Sequence, residues 1–357
     1  MQASFVYMPA FRVRTIEWEV LKYFDFGDRI CPYIEIIKEK DRPRKMSSST
    51  LYRAMIQGIR SKSVFVDIPF QFMLKDISDP AVINYLTAMR NVDHRINTLL
   101  SFASLQKPEK MIPIISSYFF ITGTAGTVAK QVEKLRPTFS RLAFRITAKD
   151  PEFESELESV ESFLTAADHL IVDFEESALN MDKENIKELG TRLSKIQICP
   201  VVILRSALPV AVKYKDLNNN EEVIGSDNKL LRQFKTLGAS AFGDYAGIKK
   251  DLLRGAGGSD KITYGCIYYD ATNNQYIGFK GAGPGYKEIK ESIVPAVLDS
   301  VASQHMLESP IPYLDERNKG WKFLRSNYIS RPRDVKKFSI EHYLHCVRAK
   351  IEAGNFN

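Results

Sequence analysis

The sequence predicts a single eight-fold β/α barrel, α/β in class, on three observations. Short apolar runs rich in β-branched and aromatic residues recur eight times along the chain. Helical patterns fill the gaps between them. A charged residue stands near the C-terminal end of many of the runs, as expected of a barrel whose strand ends open on a polar mouth. Continuous apolar strands fit a parallel sheet covered on both faces. Strict strand–helix alternation means βαβ units, and eight of them with right-handed crossovers can close on themselves.

The eight expected strands are SFVYMP (4–9), CPYIEII (31–37), SVFVDIP (63–69), MIPIIS (111–116), RLAFRI (141–146), HLIVDF (169–174), CPVVILR (199–205) and ASAFGDYA (239–246). TIEWEVLKYF (15–24) follows the first as a helix, and SSSTLYRAMIQGIR (47–60) follows the second with Ser47–Ser49 as cap candidates. Asp79-Pro80 opens one long helix through AVINYLTAMRNVDHRINTLLSFASL, and Asp150-Pro151 opens PEFESELESVESFLTAA. Each sets a capping acid before a first-turn proline. TVAKQVEKLR (127–136), DKENIKELGTRLSKI (182–196) and NKLLRQFKTLG (228–238) serve the fourth, sixth and seventh units.

The pattern changes after the eighth strand. KITYGCIYYDATNNQYIGFKG (261–281) reads as a β-hairpin turning at Asp270–Asn274. A helix follows over about 286–303, which Pro295 must kink or shorten. The expected organisation is a barrel over 1–303 that includes the hairpin, then a basic extension over 304–357, packed on the barrel and ending in the helix SIEHYLHCVRAKIEAG. An open doubly wound sheet is the rival fold. It would usually carry a Gly-rich phosphate loop after the first strand, and here that turn is AFRVRT.

Composition narrows the class. The 357 residues are 44% apolar and 26% charged, enough for a large core. The four cysteines, Cys31, Cys199, Cys266 and Cys346, form no CxxC pair, which suits a reducing compartment rather than a disulfide framework. No apolar run approaches the roughly 20 residues that span a bilayer, and the N-terminus has no signal-peptide core, so a cytoplasmic protein without membrane partners is expected. The net charge is +7, and residues 310–357 hold ten Lys/Arg against five Asp/Glu. Such a segment is either a solvated surface or a face for nucleic acid or an acidic partner.

The residues best placed for chemistry are the strand-end charges: Glu35, Asp67, Arg145, Asp173, Arg205 and Asp244, with Tyr7 and the Ser116-Ser117 pair on the first and fourth strands. Clustered carboxylates could hold a hard divalent cation, Mg²⁺ or Mn²⁺ on Glu35, Asp67 and Asp173, while Arg145 and Arg205 clamp a phosphate. Together they would suit metal-assisted hydrolysis of a phosphodiester in nucleic acid or a nucleotide. Two carboxylates could instead serve as acid and base on a glycoside. The structural alternative is that the arginines neutralise the acids, because unpaired charges do not stay buried. Tyr245 and Lys280 are further ligand contacts in this reading, Lys280 from the hairpin end YIGFKG. GAGPGY (281–286) could offer an anion site at a helix start, or be a plain linker like GAGGSDK (255–261). His94 and His169 read as structural. His342 and His345, three apart on the last helix, lack the usual spacing of a metal pair. Cys199 and Cys266 sit in apolar strands and read as inert. The sequence shows no nucleophile triad, no HExxH and no HxE with PCxxC.

YMPAFRVRTIEWEVLKYF, PYIEI, VDIP, IVDF, GDYA, the hairpin ending YIGFKG and the late IEHYLHCV together resemble the phage "beta protein" family over nearly the whole chain. The resemblance implies a setting in bacteria and phages, often among phage-defence genes, and a partner from the same operon. It implies no particular chemistry. Two functions are therefore expected to compete: a phosphodiesterase or nuclease working at the strand ends, and a non-catalytic barrel that senses a phage component or partners an effector through its basic C-terminal segment and aromatic hairpin.

Overall fold

The computed structural model describes residues 4–39, 46–70, 77, 79–103, 106–148, 152–176, 184–250, 263–326 and 328–356. Eight parallel strands close into a barrel in which sequence neighbours are sheet neighbours throughout. They are Tyr7–Arg12, Tyr33–Glu35, Val64–Asp67, Met111–Ile115, Ala143–Thr147, His169–Asp173, Val201–Leu204 and Ala241–Asp244. Each expected strand is present. The first is displaced: it starts at Tyr7 and runs on through Pro9 to Arg12 instead of ending at the proline. Proline's fixed φ is compatible with an extended chain, and only its donor is lost. The eighth strand closes against the first through a glycine, because a Cβ on Gly243 would come within 2.7 Å of the Met8 carbonyl oxygen.

The strand period of two layers the barrel interior. Near the amino ends, Phe5, Phe65 and His169 pack ring against ring, with centroids 5.2–5.7 Å apart. Two residues further along come Asp67, after Phe65 on its strand, and Arg145, after Ala143 on the strand beside His169, with which Ala143 is in register. Below, the barrel is an aromatic plug, and at the carboxyl ends it turns polar.

The surrounding helices follow the expectations with three corrections. The long helix from Asp79-Pro80 is two, Pro80–Met89 and Val92–Phe102, because the Asn91 side chain accepts from the His94 N–H and restarts the helix. The expected 228–238 helix is a single α-turn, Leu230–Gln233, continued by a 3₁₀ turn. The 286–303 helix opens with a π-helical turn over Ile289–Ile293, continues over Val294–Leu298, and breaks before Val301–Glu308, where Ser300 caps the new start. Pro295 stands directly after the π-helical turn, where the helix changes its hydrogen-bond pattern, as expected of a residue that cannot donate within a helix. Asp150-Pro151 and 255–261 lie outside the described residues.

Two compact units emerge. The barrel unit draws on the described parts of Met1–Arg205 and Phe234–Gly243, and the second unit on those of Ser206–Gln233, Asp244–Lys250 and Ala256–Asn357. In the second unit the hairpin Thr263–Asp270/Gln275–Pro284 takes on a third strand, Glu221–Glu222, along the Gln275–Pro284 edge. The Asp270 carboxylate accepts from Thr272 N, Asn273 N and the Asn273 side chain, and so shapes the turn. The last helix begins at Pro332, seven residues before the expected start, and runs to Glu352. It is buried over almost its whole second half and forms the core of this unit. His342 stacks on Tyr268 at 4.6 Å, and Tyr343 packs on Tyr269 at 4.6 Å. The Tyr343 ring leaves no room for a side chain at Gly247, which has φ +73° and whose Cβ would lie 2.4 Å from the ring.

His342 shows what this burial costs. Its Nε2 lies 2.8 Å from the Tyr269 carbonyl, which can only accept, so Nε2 carries the proton and Nδ1 accepts from the Asn318 amide at 3.1 Å. Burial pushes the imidazole pKa from 6.5 down to about 3. The unfolded chain binds this proton below about pH 6.5 and the folded chain does not. Stability is therefore fully present above that pH and is lost as pH falls toward 3, by up to about 1.4 kcal/mol per pH unit. Urea unfolding followed between pH 7 and pH 4 should show this slope, and His342→Gln, which keeps a donor for Tyr269, should flatten it by one group's share. An unchanged slope in the variant would contradict the assignment.

Candidate functional site

The polar end of the barrel is built around one guanidinium. Arg145 leaves the fifth strand and donates through Nε and Nη2 to Asp173 Oδ2, at 3.1 and 2.5 Å. Through Nη1 it reaches Asp67 Oδ2 and the Tyr33 hydroxyl, both at 2.8 Å, and Glu35 Oε1 at 3.3 Å. Tyr33 accepts from Arg145 and donates to Asp67 Oδ2 at 2.7 Å. Asp67 Oδ1 accepts from Arg95 Nη2 at 2.8 Å, and Glu35 Oε2 accepts from Arg12 Nε at 2.6 Å. Asp173 Oδ1 takes the backbone N–H of Glu175 at 2.8 Å. Three carboxylates thus meet three guanidiniums in one network. Glu35, Asp67 and Arg95 are 0% exposed, Asp173 2%, Arg12 5% and Arg145 8%.

Arg95 comes from outside the barrel wall, on the helix Val92–Phe102. Its Nε donates to the Ile68 carbonyl at 2.9 Å, Nη2 to the Ile114 carbonyl at 2.8 Å, and Nη1 to Gln131 Oε1 at 2.6 Å. Gln131 in turn donates to the Ser116 and Thr127 carbonyls at 2.9 and 3.0 Å. A side chain that crosses from a helix to the ends of the third and fourth strands fixes those ends relative to each other. Charge-assisted bonds of this kind are about twice as strong as neutral ones.

Of the six strand-end charges, Glu35, Asp67, Arg145 and Asp173 are brought together. Arg205 follows the seventh strand and is buried, its backbone N–H donating to the Gly243 carbonyl at 3.0 Å. Asp244 ends the eighth strand but belongs to the second unit, where it accepts from the Tyr343 hydroxyl and from Ala246 N at 2.9 Å. Tyr7 opens the first strand instead of closing it, because that strand is displaced toward Arg12, and Arg12 takes the strand-end position. Tyr245 and Lys280 also lie in the second unit. Lys250 Nζ stands 5.3 Å over the Tyr245 ring, and the Lys280 backbone N–H donates to Asn219 Oδ1 at 2.7 Å. At GAGPGY the place for an external anion is filled from within: Glu288 accepts from Ala282 N at 3.0 Å and from the Ser292 hydroxyl at 2.8 Å, which holds its carboxyl below the usual range.

Reading the residues one by one missed Arg12, Tyr33, Arg95 and Gln131. Arg95 had left a signal: it interrupts the apolar face made by Ile96, Leu99 and Phe102 on its helix. The remaining reactive types are occupied or subdued. Among the described residues no three or more His, Cys, Asp and Glu side chains are grouped to hold a metal ion. The cysteines are all buried, and burial pushes the Cys199 and Cys266 thiols up to about 12. His345 Nε2 donates to the Pro312 carbonyl at 3.0 Å and lies 3.2 Å from Asp315 Oδ1. No helix among the described residues is long and apolar enough to cross a membrane.

The Beta protein family model matches residues 7–347, which takes in all eight barrel strands and most of the last helix. None of the curated proteins matches the chain.

Removing one member of a buried ion pair leaves a charge without its partner, at a cost of about 3–5 kcal/mol. Arg145→Met should therefore lower the unfolding free energy by about that much. Adding Asp173→Asn to it should recover part of the loss, since less charge is left stranded. Denaturant titration of the single and double variants checks the coupling, and simple additivity would speak against a shared network.

Proposed function

The chain belongs to the Beta protein family, and from that premise we propose that it is a binding module: a non-catalytic barrel that engages a polyanionic partner, nucleic acid first, through its basic C-terminal segment. The observation that carries this reading is the closed charge balance at the barrel mouth. Every carboxylate of the Arg145 network has a guanidinium within hydrogen-bond distance, and the acids are 0–2% exposed, so a substrate meets little of them.

The basic segment supports the partner class. Arg331, Arg333, Lys336 and Lys337 crowd the first turns of the helix Pro332–Glu352, with Asp334 as the acid among them. A helix start is already the positive end of the dipole, so these cations add to its field instead of offsetting it. Arg331 and Arg333 are exposed, and Lys337 Nζ rests 6.0 Å over the Phe323 ring. Several cations of the segment are paired with local acids: Arg333 with Asp334 at 3.5 Å, Arg317 with Asp315 at 2.7 Å, and Lys322 and Arg325 with Glu316 at 3.2 and 3.6 Å. The helix start therefore carries an excess of basic side chains over acids, four against one. A setting in phage–host conflict, with an operon-encoded partner, rests on the family resemblance.

A metal-assisted phosphodiesterase remains the second reading, because Glu35, Asp67, Asp173 and Arg145 do converge at the carboxyl ends of the strands, where barrel enzymes carry their sites. In it the three acids would turn from the arginines to Mg²⁺ or Mn²⁺, and Arg145 would hold phosphate.

Fluorescence anisotropy with single-stranded and duplex nucleic acid at 50–200 mM salt separates the two. Binding should weaken steeply with salt, and replacing Arg331, Arg333, Lys336 and Lys337 together by alanine should reduce the log–log slope by about 3. Asp67→Asn should leave the slope unchanged. Absence of salt-dependent binding, or an unaltered slope in the quadruple variant, would overturn the proposal. Turnover of nucleic acid or nucleotide with Mg²⁺ or Mn²⁺ that Asp67→Asn abolishes would move the function to the barrel mouth.

A further inference from the structure

A crevice of about 550 Å³ opens in the barrel unit between the helices Pro80–Met89 and Val92–Phe102 and the start of the helix Ser48–Gly58. The volume lies within the range of small-molecule sites. We propose that it binds a nucleoside monophosphate or a close relative, a small phosphate ester carrying an aromatic body.

Two donors on or beside this crevice have no acceptor. The Tyr85 hydroxyl, on the crevice wall, is shielded from solvent and has no hydrogen-bond partner. Burial also raises its pKa well above the usual phenol value, so it stays protonated, a donor. Arg53, on the helix Ser48–Gly58, anchors Nη2 on the carbonyl of Ser101, a lining residue, at 2.7 Å. Its Nε is buried and also has no partner. Buried polar groups are nearly always paired, and leaving one unmade costs more than a typical bond gains. The orphaned Tyr85 hydroxyl on the wall, with the Arg53 cation behind it, favours a ligand that accepts and is negative, as phosphate oxygens are.

The rest of the lining fits the same ligand. Ser48 and Ser49 bring the first turn of an eleven-residue helix, whose N–H groups favour an anion. The Ser47 hydroxyl caps that start, accepting from Thr50 N at 3.2 Å. Phe102, Met89 and the Tyr85 ring supply apolar wall for a planar body. Glu39 is the acid among the described lining residues, of the type that accepts from sugar hydroxyls in dinucleotide sites.

Isothermal calorimetry on the full chain tests this with adenosine and uridine monophosphates, the matching nucleosides, and inorganic phosphate. At least one nucleotide should bind about tenfold more tightly than both its nucleoside and inorganic phosphate. Tyr85→Phe should weaken that binding about tenfold and leave the melting temperature of the free protein equal or higher, because it removes an unpaired buried hydroxyl. Equal affinity for inorganic phosphate, no binding of either nucleotide, or unchanged binding by the Tyr85→Phe protein would overturn the proposal. None of these outcomes depends on the basic C-terminal helix.

Discussion

Charge can be buried in the mouth of a barrel only if every carboxylate there finds a donor, and in this protein Arg145 is the donor that three of them share. Its planar fork faces Asp173 on one side and Asp67, Tyr33 and Glu35 on the other, so one side chain ties together the ends of the second, third, fifth and sixth strands. A lysine could carry the charge but not this spread of directions. The two flanking arginines complete the balance from opposite quarters, Arg12 from the first strand and Arg95 from a helix outside the wall. The aromatic plug of Phe5, Phe65 and His169 then has a polar lid that is itself a packed layer.

A similar economy operates at the opposite end. Asp168, just before the sixth strand, accepts from Arg136 with both oxygens at 2.6 and 2.8 Å, and also from Leu142 N and from the Thr165 N–H and hydroxyl. These bonds hold its carboxyl below the ordinary range despite burial. The two ends are built from the same chemistry, yet only the carboxyl-end cluster concentrates acids from several strands. Position in the fold, more than composition, separates a loop anchor from a candidate site.

Much of the barrel was legible because its strands are buried on both faces and therefore read as unbroken apolar runs. The strand-end acids were legible for the same reason: a charge inside such a run stands out. What could not be read were features set by backbone geometry or by partners far away in sequence. Pro9 looked like an end of the first strand and is not, and that displacement concealed Arg12. Asn91 looked like one more polar residue on a long helix, but its side chain restarts the chain as a second helix. The strand Glu221–Glu222 has no apolar pattern, since its place comes from backbone pairing with Ile277 and Gly278. Whether the acids would face arginines or a metal depended on distances that spacing along the chain does not encode.

The second unit is assembled from separated stretches of chain, and this imposes an order on its making. Asp244 emerges from the ribosome ninety-nine residues before the Tyr343 hydroxyl that it accepts from. Glu221 precedes by more than fifty residues the strand it pairs with at Gly278. The barrel's strands can pair as they are translated, each with the one before it, up to the closure of the eighth on the first. The second unit has no such running partner: its central helix is synthesised well after the hairpin it packs on, so the earlier pieces must wait, with Tyr268, Tyr269 and Tyr276 uncovered, until that helix follows. A nascent chain stalled after the hairpin would be a finished barrel carrying an exposed aromatic sheet, a natural target for chaperones during synthesis.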